Sequence, residues 1–202
     1  MTYFRRGRWA AAGLGFLAVV GGVALGCGSE DSPAPTQDQH AEDTVGAEDR
    51  ERIEKGLELS PVPVNLEGLD RDLVGLGSYI VNAQGACNDC HTNPPFAPGG
   101  NPFLGEPERI NTEHFLAGGM VFGTVVSPNI TPDEEGLPGG YTLEEFLELM
   151  RTGREADEED EILQVMPWPI YAKMTDRDLR AIYEYLRSIP PAQPGTAPAP
   201  AP

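Results

Sequence analysis

GSYIVNAQGACNDCHT, residues 77–92, ends by placing two of the chain's three cysteines and one of its three histidines within five positions. Cys87 and Cys90 stand three apart, and His91 follows the second directly. Upstream, Leu69, Leu73, Leu76, Ile80 and Ala83 step by four, three, four and three, tracing one apolar helical face that runs into the motif. Asp70 and Asp72 fall in the first turn of that helix, where they complement its dipole.

Two more helices lie further along. One begins after Thr142, with Glu145 completing a capping box, a face of Leu143, Phe146, Leu147 and Met150, and Gly153 as its stop. The other begins after Thr175 with Asp178 in the box position. Its apolar residues are Leu179, Ile182, Tyr183 and Leu186, and Pro190-Pro191 end it. Residues 92–140 read as loops, and only Val121 to Val126 has strand character. The fold class expected is mainly α, with long loops. So small a helical set is short of core unless it encloses something large and apolar.

CNDCH admits three chemistries. A disulfide or redox pair has this C-x-x-C spacing, but such pairs sit where a strand enters a helix, and no strand precedes this one. Zinc would need a fourth ligand; His40 lies in a polar stretch, which leaves His114. Covalent haem attachment uses each thiol for one vinyl group and puts the next residue's imidazole under the iron. Chance would produce C-x-x-C-H in roughly one chain of this length per thousand. One haem c per chain, on Cys87 and Cys90 with His91 as an axial ligand, is therefore expected.

The ends divide from this domain by composition. Arg5, Arg6 and Arg8 precede an apolar run from Ala10 to Gly26, too short and too rich in Gly and Ala for a bundled membrane helix. The expected organisation is a signal peptide over 1–26, a flexible acidic and Pro-rich tether over 27–68, the haem domain over 69–190, and a disordered Pro/Ala tail over 191–202. All 32 acidic residues follow Cys27 and three of the 14 basic ones precede it, leaving 11 − 32 = −21 beyond it. Such a surface repels nucleic acid and anionic lipid and favours brief encounters with a basic partner. The run EADEEDE, Glu155 to Glu161, reads as a solvated loop or as a docking patch for that partner.

GSYIVNAQGACNDCHT resembles the N-terminal helix and haem site of class I c-type cytochromes. NITPDEEGLPGGYTLEEFLELMRTG and MPWPIYAKMTDRDLRAIYEYLRSIPP are similar to later segments of a branch that includes cytochrome subunits of membrane-associated bacterial dehydrogenases. The likeness spans about 77–191, although those subunits usually carry several such domains and this chain has one. It implies a small helical domain wrapped around haem, with first and last helices crossing at a small residue; Gly77 with Tyr183 or Tyr185 are the candidates. Around Cys27 the sequence resembles a bacterial lipoprotein signal, with Ala24 where the family usually has Leu. That resemblance implies export, a lipid anchor at Cys27 and a place on the periplasmic side of a membrane.

An electron carrier needs its second axial position filled, and a thioether there raises the potential. Met120, Met150, Met166 and Met174 are available, with His114 a further possibility. Met150 reads as core; Met166 sits in a proline-stiffened VMPWP loop, and the resemblance places the axial methionine there. Trp168 and Tyr171 read as core filling or as haem-edge contacts. Asn129 and Thr131 approach the propionates by resemblance, or form an ordinary Asx turn. The function expected is single-electron transfer between extracytoplasmic redox proteins, not catalysis. The alternative is a haem enzyme or dehydrogenase subunit with a displaceable sixth ligand.

Overall fold

The computed structural model describes residues 46–155 and 158–195. The signal, Cys27, His40 and the last seven residues lie outside the described residues.

Helix α2 (Arg71–Tyr79) starts where Asp70 accepts from the backbone N–H groups of Asp72 and Leu73. It continues as a π-helical stretch, Ile80–Gln84, and the chain then breaks at Ala86, whose φ of 51° is left-handed. The helix expected to run unbroken into the motif therefore stops short of it, and Cys87–His91 form a separate short helix, α3. Helices α4 (Leu143–Thr152) and α6 (Asp176–Ser188) carry both capping boxes expected, Thr142/Glu145 and Thr175/Asp178. Gly153 ends α4 at φ 69°, in the left-handed conformation that suits glycine.

Helices α2 and α6 cross at Gly77. A Cβ there would overlap the Ala181 carbonyl oxygen and lie 2.8 Å from the Tyr185 Cβ. Of the two tyrosines, Tyr185 is the one at the crossing. Its hydroxyl accepts from Asn82 Nδ2 at 3.1 Å and meets Ser60 Oγ at 2.9 Å. Burial pushes this phenol's pKa up, so it stays a neutral hydrogen-bonding group. Tyr183 packs against Phe146 with ring centroids 5.4 Å apart and donates to the Tyr141 carbonyl.

The tether expectation is corrected over its second half. Residues Ala47–Leu59 form a 13-residue helix, α1, packed on α2. Ile53 is buried against Gly75, and Ser78 Oγ donates to the Gly56 carbonyl at 2.6 Å. A Cβ on Gly56 would overlap the Gly75 carbonyl, so the two helices touch backbone to backbone. Glu54 takes both guanidinium nitrogens of Arg71, at 2.8 and 3.0 Å, and Asp49 pairs with Arg177. Few apolar residues and a central glycine gave α1 a weak signature; its stability comes from the surface it meets.

Three further expectations change. Val121–Val126 is a hairpin rather than one strand, β1 (Val121–Phe122) against β2 (Val125–Val126), turning at Gly123 with φ 65°. The acidic run is not simply a loop: β3 (Arg154–Glu155) pairs antiparallel with β4 (Glu158–Ile162). The tail is ordered through Gly195, where its backbone finds partners on other loops. A short helix α5 (Trp168–Tyr171) completes the set. Mainly helical architecture is what the sequence led us to expect, and among the described residues no helix is long and apolar enough to cross a membrane.

Candidate functional site

A cavity of about 310 Å³ opens among these elements. Ile80 and Val81 line it from the π-helical stretch, Phe146, Leu149 and Met150 from α4, and Ile182 and Leu186 from α6. The hairpin β1–β2 adds Phe122 and Val125. Cys87, Cys90, His91, Met166 and Tyr171 all reach the same cavity. Its walls are largely apolar, so it suits a large apolar group.

His91 is 8 % exposed and fixed from two sides. Its Nδ1 lies 2.9 Å from the Pro128 carbonyl, which can only accept, so this nitrogen carries the proton and Nε2 keeps its lone pair. The His91 backbone carbonyl takes the Gly118 N–H at 2.6 Å. Burial lowers the imidazole pKa, with the Pro128 contact opposing, and the ring is held as the neutral, metal-ligating form.

The two thiols are free, and burial pushes Cys87 up to about 12, with Cys90 adding to the effect. Burial, then Asp89, raises Cys90 as well. Reactive redox pairs depend on the opposite shift, and neither thiol here shows it. Zinc fares no better: among the described residues no three His, Cys, Asp or Glu side chains are grouped to hold an ion. His114 turns its Nδ1 to the Gln193 carbonyl instead.

Of the methionines, Met166 and Met150 line the cavity, whereas Met120 and Met174 do not. Met150 is buried on α4, as the helical pattern implied, and has a cavity face as well. Tyr171 donates to the Gly85 carbonyl at 2.7 Å, tying the Met166 loop to the turn before Cys87. Trp168 is away from the cavity; its ring covers Gly153, where a Cβ would collide with it. Asn129 is away from it too, accepting from Thr131 N and Oγ1 and donating to the Ala192 carbonyl. Pro128 escaped the sequence reading altogether, because nothing in a sequence marks which carbonyl will face a ring 37 residues away.

A small helical domain with C-x-x-C-H on the wall of an apolar cavity defines the class in which relatives are expected. No protein-family model matches the chain. It is 34 % identical over 116 residues to the cytochrome c subunit of the quinone-dependent alcohol dehydrogenase of Gluconobacter oxydans, covering 57 % of this chain and 21 % of that protein. It is 35 % identical over 113 residues to the gluconate 2-dehydrogenase cytochrome c subunit of Pantoea cypripedii, covering 56 % and 22 %. A diheme cytochrome c-type protein of Cereibacter sphaeroides is 29 % identical over 108 residues, covering 54 % and 33 %. The first two of these relatives are cytochrome c subunits of bacterial dehydrogenases, and the matched region spans about a fifth to a third of the three proteins' own lengths. Apolar walls, two protonated thiols and one neutral imidazole fit the haem c that those names imply.

Proposed function

We propose that the chain is a monohaem cytochrome c that carries single electrons between proteins outside the cytoplasm. The supporting observation is that Cys87, Cys90, His91 and Met166 face one apolar cavity. Cys87 and Cys90 would hold the porphyrin through thioethers, with His91 and Met166 as axial ligands. The group supplies a one-electron ferric/ferrous couple. Pro128 keeps the His91 proton on Nδ1, the hydrogen bond of Tyr171 to Gly85 holds the Met166 loop near the cysteines, and the apolar walls exclude water. A dry, doubly ligated site suits electron transfer rather than catalysis.

The test is the protein made in a host that matures c-type cytochromes. The expected result is a low-spin spectrum, haem staining that survives a denaturing gel, the added mass of one haem, and no thiol reaction at Cys87 or Cys90 after unfolding. A colourless chain with two reactive thiols at these positions ends the proposal.

Partner and place follow from charge and from the relatives. A dehydrogenase is the favoured donor, because the similar proteins are dehydrogenase subunits. A basic docking face on the partner would complement a chain of net charge −18. The electron-transfer rate should then fall as salt is added, and a salt-independent rate would count against it. Cys27 is proposed as the lipidated residue holding the protein at the periplasmic side of a membrane. Cys27→Ser should release it into the soluble fraction, and continued retention on the membrane would argue against the anchor.

A further inference from the structure

Residues 192–195 cross the loops that support His91. Asn129 Nδ2 donates to the Ala192 carbonyl at 2.8 Å, and Ala192 N donates to Thr131 Oγ1 at 3.2 Å. His114 Nδ1 donates to the Gln193 carbonyl at 2.8 Å. Asn93 Nδ2 bonds the Gly119 carbonyl at 2.7 Å and reaches the Gly195 carbonyl at 3.5 Å. A Cβ on Gly195 would overlap the Asn93 carbonyl, so only glycine lets this backbone approach. Contacts at four separate loop positions are more than an idle Pro-rich tail makes.

The anchor points share a neighbour. Asn129 directly follows Pro128, whose carbonyl accepts the His91 proton. Asn93 lies two residues beyond His91. Gly119 donates to the Ser127 carbonyl at 2.9 Å, just before Pro128, and Ile130 N donates to the Leu116 carbonyl at 3.0 Å just after it. Pro128 is thus bracketed in chain order by two ladder bonds, and the residue after it, Asn129, is held by the 192–195 segment. Thr131 Oγ1 also donates to Asn129 Oδ1 at 2.8 Å, so the turn receiving Ala192 is internally braced.

We infer that residues 192–195 form a strap that presses the Pro128 carbonyl onto His91, with Asn129 and Thr131 as positioning residues for that imidazole. The inference rests on the reading of His91 as an axial ligand. An Nδ1–H held firmly on a carbonyl makes the opposite nitrogen more basic, which favours the ferric state. A loosened carbonyl weakens that effect, and the midpoint potential rises.

Three holoproteins test this against the full chain: one ending at Pro191, one ending at Gly195, and full-length Thr131→Val. Residues 192–202 contain no charged side chain. The carboxylate created at Pro191 would itself lower the potential, so a rise there is not a charge effect. The chain ending at Gly195 should match the parent. The chain ending at Pro191 and Thr131→Val should keep a low-spin spectrum, shift to higher potential, and exchange the His91 Nδ1 proton faster by NMR. Unmoved potential and exchange in both overturn the strap. Should the shorter chain fail to fold, Thr131→Val decides alone. A parent chain without haem overturns the axial reading and the strap together; a haem-bearing parent with unmoved variants overturns the strap only.

Discussion

Met166→Ala is expected to replace a low-spin spectrum by a high-spin one and to lower the midpoint potential by on the order of 100 mV, if Met166 is the ligand proposed above. The thioether favours ferrous iron, and losing it leaves a position that water or carbon monoxide can take. Met166 sits in a bend that leads into Pro167, and its own carbonyl accepts from Trp168 N at 2.8 Å. Alanine keeps that backbone arrangement, so the change falls on the side chain alone. Met150 is the rival, since it also lines the cavity. Met150→Leu preserves volume and should keep the low-spin spectrum. A Met166→Ala protein with the parent's spectrum, or a Met150→Leu protein gone high-spin, would remove Met166 from the role. Absorbance of the oxidised and reduced forms, with a redox titration, is the measurement.

Gly77→Val has the largest expected effect on the fold itself. The added Cβ falls on the Ala181 carbonyl of α6, and neither backbone can yield without parting the two helices. Overpacking a core usually costs about 1–3 kcal/mol through side-chain shifts. Here the collision is backbone against side chain, and a cost above about 3 kcal/mol is expected. For a domain of this size that lowers the thermal midpoint by roughly 6–12 °C. The damage should extend to the site, because α2 leads through Ile80–Gln84 into the turn before Cys87. Less haem would be retained per chain. Gly46→Ala is the control, as a Cβ there meets nothing within 4 Å. Thermal unfolding of the three proteins decides it, and a Gly77→Val midpoint equal to the control's would refute the crossing.

What was legible came from local rules. Thr142/Glu145 and Thr175/Asp178 are recognisable because a capping box is a contact between residues three apart. Leu76, Ile80, Phe146, Met150, Leu179 and Ile182 are all buried, as helical spacing implied. The C-x-x-C-H group is legible for the same reason. Helix α1 was not, since Ile53 and Gly56 make sense only against Gly75 and Ser78. Trp168 read as core filling or a haem-edge contact and Asn129 as a propionate contact or an Asx turn; Trp168 packs over Gly153, and Asn129 makes the turn with Thr131. Aromatic and amide side chains have many ways to be satisfied, and sequence does not rank them.

The sequence by itself determined where helices begin and end, which faces are apolar, and that two thiols and an imidazole stand at a spacing suited to haem. Those properties depend on neighbours a few residues apart. Tertiary structure alone decided that Pro128 meets the His91 ring, that Met166 and Met150 share the cavity while Met120 and Met174 do not, and that residues 192–195 reach back to Asn129. The Pro128–His91 contact joins residues 37 apart and the Asn129–Ala192 contact residues 63 apart, and backbone carbonyls carry no side-chain signature of where they will point.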